Sequence, residues 1–330
     1  MHNPLSSLPI MGQPLVSVVT PLHNTAQYLS ECIESVLSQT YRNLRYVVVD
    51  NASTDGSTQI AESYARTDPR MTLRRFDTLI PQVPNYNRAL QQLAPESSYV
   101  KVVEADNWLY PECIEKMVAL AETHPSVAIV SAYNTTETRL RFTGLPLART
   151  FIDGREAARM HLDGSAYLFG APTSVLMRGG FVRSRSPFYD ENCPFAEDLS
   201  VCFEAFRTGD FGFVHQVLTF VRTENESILS RIGGFNLQPI DRLAMLQRHG
   251  AQFFSPSEQS RIGVRLLHDY YNGLALDRLD GKPAAYWNFH RSALQKIGMT
   301  FDRSRLRRAV IRELLLRAAR PVDTLRRLLN

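Results

Sequence analysis

Glu104 and Asp106 stand two residues apart where the apolar run Tyr99–Glu104 (YVKVVE) gives way to Ala105, Asp106 and Asn107. In an extended segment such residues point to the same side. Both carboxylates can then share one hard divalent cation, Mn2+ or Mg2+, whose remaining positions phosphates and water would fill. The spacing alone favours the plainer reading, a solvated acidic loop that caps a helix beginning near Pro111. A second acidic pair, Glu197-Asp198, opens a helical stretch running to Phe206. Acidic residues in a first turn complement the helix dipole and cap free N–H groups. That account leaves the aromatic and acidic approach Pro187-Phe188-Tyr189-Asp190-Glu191 without a role. Two more polar stretches follow apolar runs: Thr20-Pro21-Leu22-His23-Asn24, and Asp50-Asn51-Ala52-Ser53-Thr54-Asp55-Gly56.

These residues need strands to end beside one another. Leu15–Thr20, Leu44–Asp50, Met71–Phe76, Tyr99–Glu104 and Val127–Tyr133 read as strands, and Ala26–Gln39, Ser57–Ala65, Tyr86–Leu93 and Pro111–Thr123 as the helices between them. Strands interleaved with helices predict βαβ units and a mostly parallel sheet covered on both faces. Ligands of such sheets bind beyond the carboxyl ends of the strands, where all three polar stretches lie. None carries GxGxxG or GxxxxGK[ST], which removes the main support for a dehydrogenase or a P-loop enzyme. Residues 134–195 are turn-rich, with a helix near Gly154–Leu162 and a strand at Thr173–Met177. Phe211–Val214 and Val217–Val221 read as two short strands. From Phe235 the period is helical: Leu237–Gln247, Glu258–Leu279, Ala284–Lys296, Leu306–Ala319 and, after Pro321, Val322–Leu329. The expected organisation is an arm (1–14), an α/β domain (15–233) and a helical region (234–330), with a boundary near Gly233-Gly234.

Composition narrows the class. A chain of 330 residues with 44% hydrophobic and 21% charged residues is neither disordered nor coiled coil, and allows about two domains. Four scattered cysteines, without a CxxC pair, favour a reducing compartment over a zinc ribbon or a disulfide scaffold. The N-terminus lacks the basic and apolar segments of a signal peptide, and no 18-residue apolar run occurs. A cytoplasmic location is expected. Residues 301–330 carry nine arginines against three acids, while the rest of the chain is slightly acidic. The body is therefore no nucleic-acid surface, and the tail lacks interleaved aromatics. Within the tail, Leu306, Val310, Leu314 and Ala318, flanked by Ile311 and Leu315, form one broad apolar face. It suits either docking on the protein's own core or a twin subunit, or the inner face of an anionic membrane.

The motifs, in order, resemble those of family-2 glycosyltransferases over about residues 15–230. Pro21-Leu22-His23-Asn24 matches the turn after the family's first strand, with His23 for the usual aromatic ring. Asp50-Asn51 stands for a pair of aspartates, and Asn87-Arg88-Ala89-Leu90 matches the element before the metal motif. Glu104-Ala105-Asp106 matches Asp-x-Asp with a longer first acid, which should move an ion by about an ångström. Asp198 falls in the place of the catalytic base, and Val221-Arg222-Thr223-Glu224 matches a late arginine-x-histidine element with Glu224 for the metal-binding histidine.

The resemblance implies a glycosyltransferase A-type nucleotide-binding domain on a mostly parallel sheet, followed by an all-helical C-terminal region. It implies inverting transfer of a sugar from a nucleoside-diphosphate donor, UDP or dTDP, to a glycan or lipid-linked acceptor. Asp198 would be the base. Thr20, Pro21, His23, Asn24, Asp50, Asn51, Asn87, Glu104, Ala105, Asp106 and Arg222 would hold the nucleotide-sugar, and Asp106, Glu104 and Glu224 the Mn2+ or Mg2+. Two other readings stay open. One is a sugar-phosphate nucleotidyltransferase, although Pro21–Tyr28 has neither the glycine nor the lysine of its opening loop. The other is an inactive scaffold, kept alive by Asn51 and Glu104.

Overall fold

The computed structural model describes residues 12–193, 195–223 and 238–319. They fall into two compact units, one within Met1–Glu226 and one within Ser227–Asn330. Glu224, the Gly233-Gly234 boundary, the helix read at Val322–Leu329 and most of the N-terminal arm lie outside the described residues.

The first unit alternates strands and helices as the apolar pattern predicts. β1 (Val16–Leu22) is buried along its whole length, as a central strand with both faces covered must be. α1 (Ala26–Leu37) follows, burying Leu29, Cys32, Ile33 and Val36, then β2 (Leu44–Asn51), α2 (Ser57–Thr67) and β3 (Met71–Phe76). α3 (Gln82–Leu90) begins four residues before the helix read at Tyr86, because Pro84 sits in its first turn, where proline is tolerated. β4 (Tyr99–Val102), β5 (Trp108–Leu109), α4 (Cys113–Thr123), β6 (Val127–Thr135), β7 (Leu140–Arg141), β8 (Phe151–Ile152) and α5 (Gly154–Asp163) come next. A 3-10 turn, Pro172–Ser174, leads into β9 (Val175–Arg178), α6 (Gly179–Arg183), α7 (Glu197–Ala205) and β10 (Asp210–Phe220). The two runs read as separate strands form this single β10, whose register slips against β6 around Val214 to Thr219. A bulge of that kind breaks the alternation that a sequence pattern relies on.

The sheet order is β3-β2-β1-β4-β9-β6-β10-β5, with β7 on β6 and β8 on β10. It is parallel through β3-β2-β1-β4 and again between β6 and β10. β9 enters antiparallel between β4 and β6. The register sets Leu22 opposite Asp50, and the Val103 N–H donates to the Val19 carbonyl at 2.9 Å. The polar stretches after β1, β2 and β4 therefore meet at one edge of the sheet.

The second unit is helical: α8 (Gln238–Phe253), α9 (Pro256–Leu279), α10 (Ala284–Lys296) and α11 (Arg303–Ala319). Ser255 and Glu258 close a capping box at the start of α9. Tyr270, Tyr286 and His290 are buried together, Tyr270 and His290 sharing a 3.0 Å hydrogen bond. On α11 the apolar residues part into two sets: Ala309 is buried and Leu306 and Val310 half-buried, whereas Ile311, Leu314, Leu315 and Leu316 are exposed. The single face read from the sequence is thus divided, because Arg312 turns toward α9, where it meets His268 and Asn272.

Candidate active site at the strand ends

The ends of β1 and β2 are laced by side-chain to backbone bonds. Asp50 is fully buried; it accepts from the Ser53 N–H at 3.0 Å and the Thr58 hydroxyl at 2.5 Å. The Asn24 amide oxygen accepts from the Thr54 N–H at 2.8 Å, and His23 Nδ1 donates to the Asn51 carbonyl at 2.8 Å. Gly56 opens α2 at φ +96°, a backbone conformation only glycine adopts without strain. Asn51 donates to the Ile80 carbonyl at 2.8 Å and accepts from the Ile80 N–H at 3.0 Å and from Arg88 at 2.5 Å. A carboxylate could not make the first bond, so the amide at this position locks β2 to the chain ahead of α3. Thr20 takes a different place from the one expected: it is fully buried, its hydroxyl bonded to Tyr46 at 2.9 Å. It braces β1 from the core.

Beyond β4 the Glu104–Asn107 turn is built around the longer acid. Glu104 accepts from the Tyr86 hydroxyl at 2.8 Å, the Asn107 amide at 2.9 Å and the Thr173 hydroxyl at 3.1 Å. Burial and then the neighbouring Asp106 charge push its carboxyl up to about 7. Ala105 is buried and Asp106 half-buried. Arg222 is spent on the same turn. Its guanidinium donates to the Asp106 carbonyl at 3.0 Å and to Glu31 at 2.8 Å and lies 4.2 Å over the Tyr28 ring, while its N–H bonds Asn107.

Asp198 lies in the first turn of α7, two residues after the N-cap Ala196, which sits at φ +52°. Left-handed backbone at a non-glycine residue costs energy and marks loops held by their surroundings; Asn24, Ala52 and Phe142 share it. Burial and then Glu197 push the Asp198 carboxyl up to about 6, against the Leu199 N–H that donates to it at 2.8 Å and, more weakly, Arg141 on β7. Its charge reaches both Tyr189 and Glu104. Tyr189 in turn packs edge-on against Tyr86 at 6.0 Å. Asn87 clamps this segment to α3, donating to the Tyr189 carbonyl at 2.9 Å and accepting from its N–H at 2.7 Å. A cleft of about 510 Å³ lined by Asn87, Arg88, Pro187 and Glu191 has none of Glu104, Asp106 or Asp198 in its walls.

The structure thus gathers Glu104, Asp106, Asn87 and Asp198 around Tyr86 and Tyr189, and keeps Asp50, Asn51, His23 and Asn24 at the adjoining edge. Tyr86, Asn107 and Thr173 went unread. Asn107 adjoins the acidic motif and Tyr86 precedes Asn87, so proximity was a signal for both; Thr173 arrives from a distant turn and offered none. Among the described residues no three His, Cys, Asp or Glu side chains gather as a cation shell. The residues still fit a cation. The Asp106 charge raises the proton affinity of Glu104, a repulsion that a shared positive ion would relieve, and an ion bound chiefly through phosphates needs only one or two carboxylates.

A family model, Glycosyl transferase family 2, matches residues 17–185. The chain belongs to this family. Among its relatives, glycosyltransferase GlyG of Streptococcus pneumoniae is 29% identical over 174 residues, 50% of this chain and 56% of that protein. Putative glycosyltransferase EpsE of Bacillus subtilis is 34% identical over 118 residues, 36% of this chain and 42% of that protein. The match thus spans about half the length of these family-2 relatives. Among solved structures, S. aureus TarS 1–349 in complex with UDP-GlcNAc aligns with TM-score 0.61 at 18% identity, over 86% of this chain and 82% of that one. Mannosyltransferase PcManGT from Pyrobaculum calidifontis, with GDP-Man and Mn2+, aligns with TM-score 0.57 at 15% identity, over 95% and 83%. The family-2 chain has the glycosyltransferase A-type α/β fold with a helical C-terminal region.

Proposed function

We propose that this protein transfers a sugar, with inversion, from a nucleoside-diphosphate-sugar to the hydroxyl of a glycan or lipid-linked acceptor. The observation that carries the reading is the convergence of Asp198, at the start of α7, on the Glu104–Asp106 turn, where its charge bears on the Glu104 carboxyl. Residues 15–233 form the catalytic domain and residues 234–330 a helical appendage. The nucleotide lies along the ends of β1 and β2, against Pro21, His23, Asn24, Asp50 and Asn51, and its diphosphate reaches Ala105 and Asp106. UDP or dTDP is the expected carrier; related folds hold UDP-GlcNAc and GDP-Man.

An alcohol is a weak nucleophile at neutral pH. A half-buried carboxylate whose proton affinity is raised accepts the acceptor's proton as attack proceeds, and such help is worth about 10²- to 10⁴-fold. Asp198 holds that position, opposite the leaving diphosphate. Asp106 would hold a divalent ion, Mn2+ or Mg2+, which when bound neutralises charge gathering on the leaving group. Glu104 fixes the turn through Tyr86, Asn107 and Thr173 and supplies the second carboxylate of the pair; Glu224 is a further candidate ligand. Arg222, just after β10, ties the turn to Glu31 and Tyr28 of α1.

The acceptor side favours a lipid-linked molecule at an anionic membrane. Ile311, Leu314, Leu315 and Leu316 are exposed on α11 beside Arg303, Arg305, Arg307 and Arg308. An apolar patch bordered by arginines complements an anionic bilayer surface, each cation adding about 1 kcal/mol.

The test is donor binding and product stereochemistry. At a hundred times its dissociation constant a nucleotide stabilises the fold by about 2.7 kcal/mol. Thermal shifts with UDP, dTDP, GDP and CDP in Mn2+ should single out one. Incubating its sugar conjugates with acceptor, and reading the anomer by NMR, should then give the inverted linkage. No shift with any of the four, from a folded protein, would leave the scaffold reading standing.

A further inference from the structure

Lys101 lies in the middle of β4, in the central sheet, with none of its surface exposed. Within hydrogen-bond reach its ammonium has two backbone carbonyls, Thr173 at 2.6 Å and Val175 at 3.2 Å, and the Met117 sulfur lies 3.7 Å away. Burial lowers its proton affinity. A lysine is an expensive way to fill a strand position facing the core, and the neighbours on β4, Val100 and Val102, are apolar. What the lysine touches gives the reason. Thr173 is the middle residue of the 3-10 turn Pro172–Ser174 and Val175 follows it as the first residue of β9, which runs antiparallel beside β4. From that turn the Thr173 hydroxyl accepts from the Glu104 N–H at 3.0 Å and the Asn107 amide at 3.1 Å, and donates to the Glu104 carboxylate at 3.1 Å. One hydroxyl therefore joins both ends of the Glu104–Asn107 turn, and the lysine holds the backbone that carries it.

We infer that Lys101 is a positioning residue, acting through Thr173 to fix the Glu104–Asn107 turn so that Asp106 meets the donor diphosphate. Its charge never reaches the ligand. It holds two carbonyls of a segment remote in sequence, which no apolar side chain could do. The part concerning the diphosphate rests on the proposed function; the coupling from Lys101 to the turn does not.

The experiment compares the full-length wild type with Lys101→Met, Thr173→Val, Thr173→Ser and the Lys101→Met/Thr173→Val double variant. Two readouts are taken: amide hydrogen exchange across residues 103–107, and UDP affinity by calorimetry in Mn2+ and in EDTA. Exchange at Glu104 should quicken at least tenfold in Lys101→Met and Thr173→Val, stay near wild type in Thr173→Ser, and rise no further in the double variant. Exchange in β1 and β2 should not change. UDP affinity in Mn2+ should fall about tenfold in the first two variants, less in EDTA, and recover in Thr173→Ser. Unchanged exchange at Glu104 in a folded Lys101→Met overturns the inference, as do additive effects in the double variant. Should Lys101→Met fail to fold, Thr173→Val with wild-type exchange and UDP affinity overturns it equally. A wild type that binds none of UDP, dTDP, GDP and CDP, yet shows the exchange pattern, removes the nucleotide reading and keeps the coupling.

Discussion

Asp198 is poised by its surroundings. Burial and Glu197 hold its carboxyl at about 6, so it is ionised at neutral pH yet keeps an appreciable proton affinity. Asp198→Asn should lower turnover about 10²-fold or more while leaving nucleotide affinity within a factor of two, read by steady-state kinetics beside calorimetry. The wild-type rate should fall as pH drops through about 6, when the base becomes protonated, and that limb should vanish from the residual activity of Asp198→Asn. Stability runs the other way. A carboxyl raised from 3.8 to about 6 costs the native state nothing below pH 3.8 and its full penalty above about 6, up to about 3 kcal/mol. Denaturant titration should therefore find Asp198→Asn at least as stable as wild type at pH 7.5, the advantage fading toward pH 4. At the neighbouring turn, Asp106→Ala should weaken UDP binding in Mn2+ and much less in EDTA if, as proposed, the carboxylate acts through the ion. Equal losses in both would place Asp106 on the ligand itself.

At the scale of elements, the site depends on pieces held across long stretches of sequence. α3 holds the segment before α7 through the Asn87 amide, which satisfies both the N–H and the carbonyl of Tyr189. Asn87→Ala leaves two buried backbone groups without that partner, a loss of about 2–3 kcal/mol. It should lower kcat more than it raises the donor KM, since the segment released leads into α7 and Asp198 and not into the β1 and β2 ends. A combination of thermal melts and kinetics checks this. Equal loss of both parameters in a variant of unchanged stability would count against the clamp.

The whole molecule separates an α/β unit, slightly acidic, from a helical unit that ends in arginines. No helix among the described residues is long and apolar enough to cross a membrane, so any attachment through α11 lies in the interface plane. Replacing Ile311, Leu314 and Leu315 by serine touches only exposed side chains and should leave folding and UDP affinity intact. Sedimentation with phosphatidylglycerol vesicles at low salt should fall at least tenfold, and wild-type binding should weaken as salt rises. Wild type that ignores such vesicles would make the exposed leucines a protein-facing surface instead.

The sequence by itself determined the order of elements. Hydrophobic periodicity is local, and runs such as Val16–Leu22 or Val127–Thr135 leave little choice of conformation. It also placed Glu104, Asp106, Asp50 and Asn51 at strand ends, because motifs that follow a strand inherit its position. Tertiary structure alone decided which partners those residues meet. β9 comes in antiparallel beside β4, bringing Thr173 to Glu104 across 69 residues, and Asn87 meets Tyr189 across 102. Such contacts are set by the global register of the sheet. Thr20 illustrates the limit from the other side: alternation put it on β1, but only the packing of α1 and β2 decided that its hydroxyl faces Tyr46 and the core. On α11, likewise, the sequence supplied the leucines and arginines. Docking against α9 decided which of them remain outside, because a helix with apolar residues all round it has no inner face until something covers one.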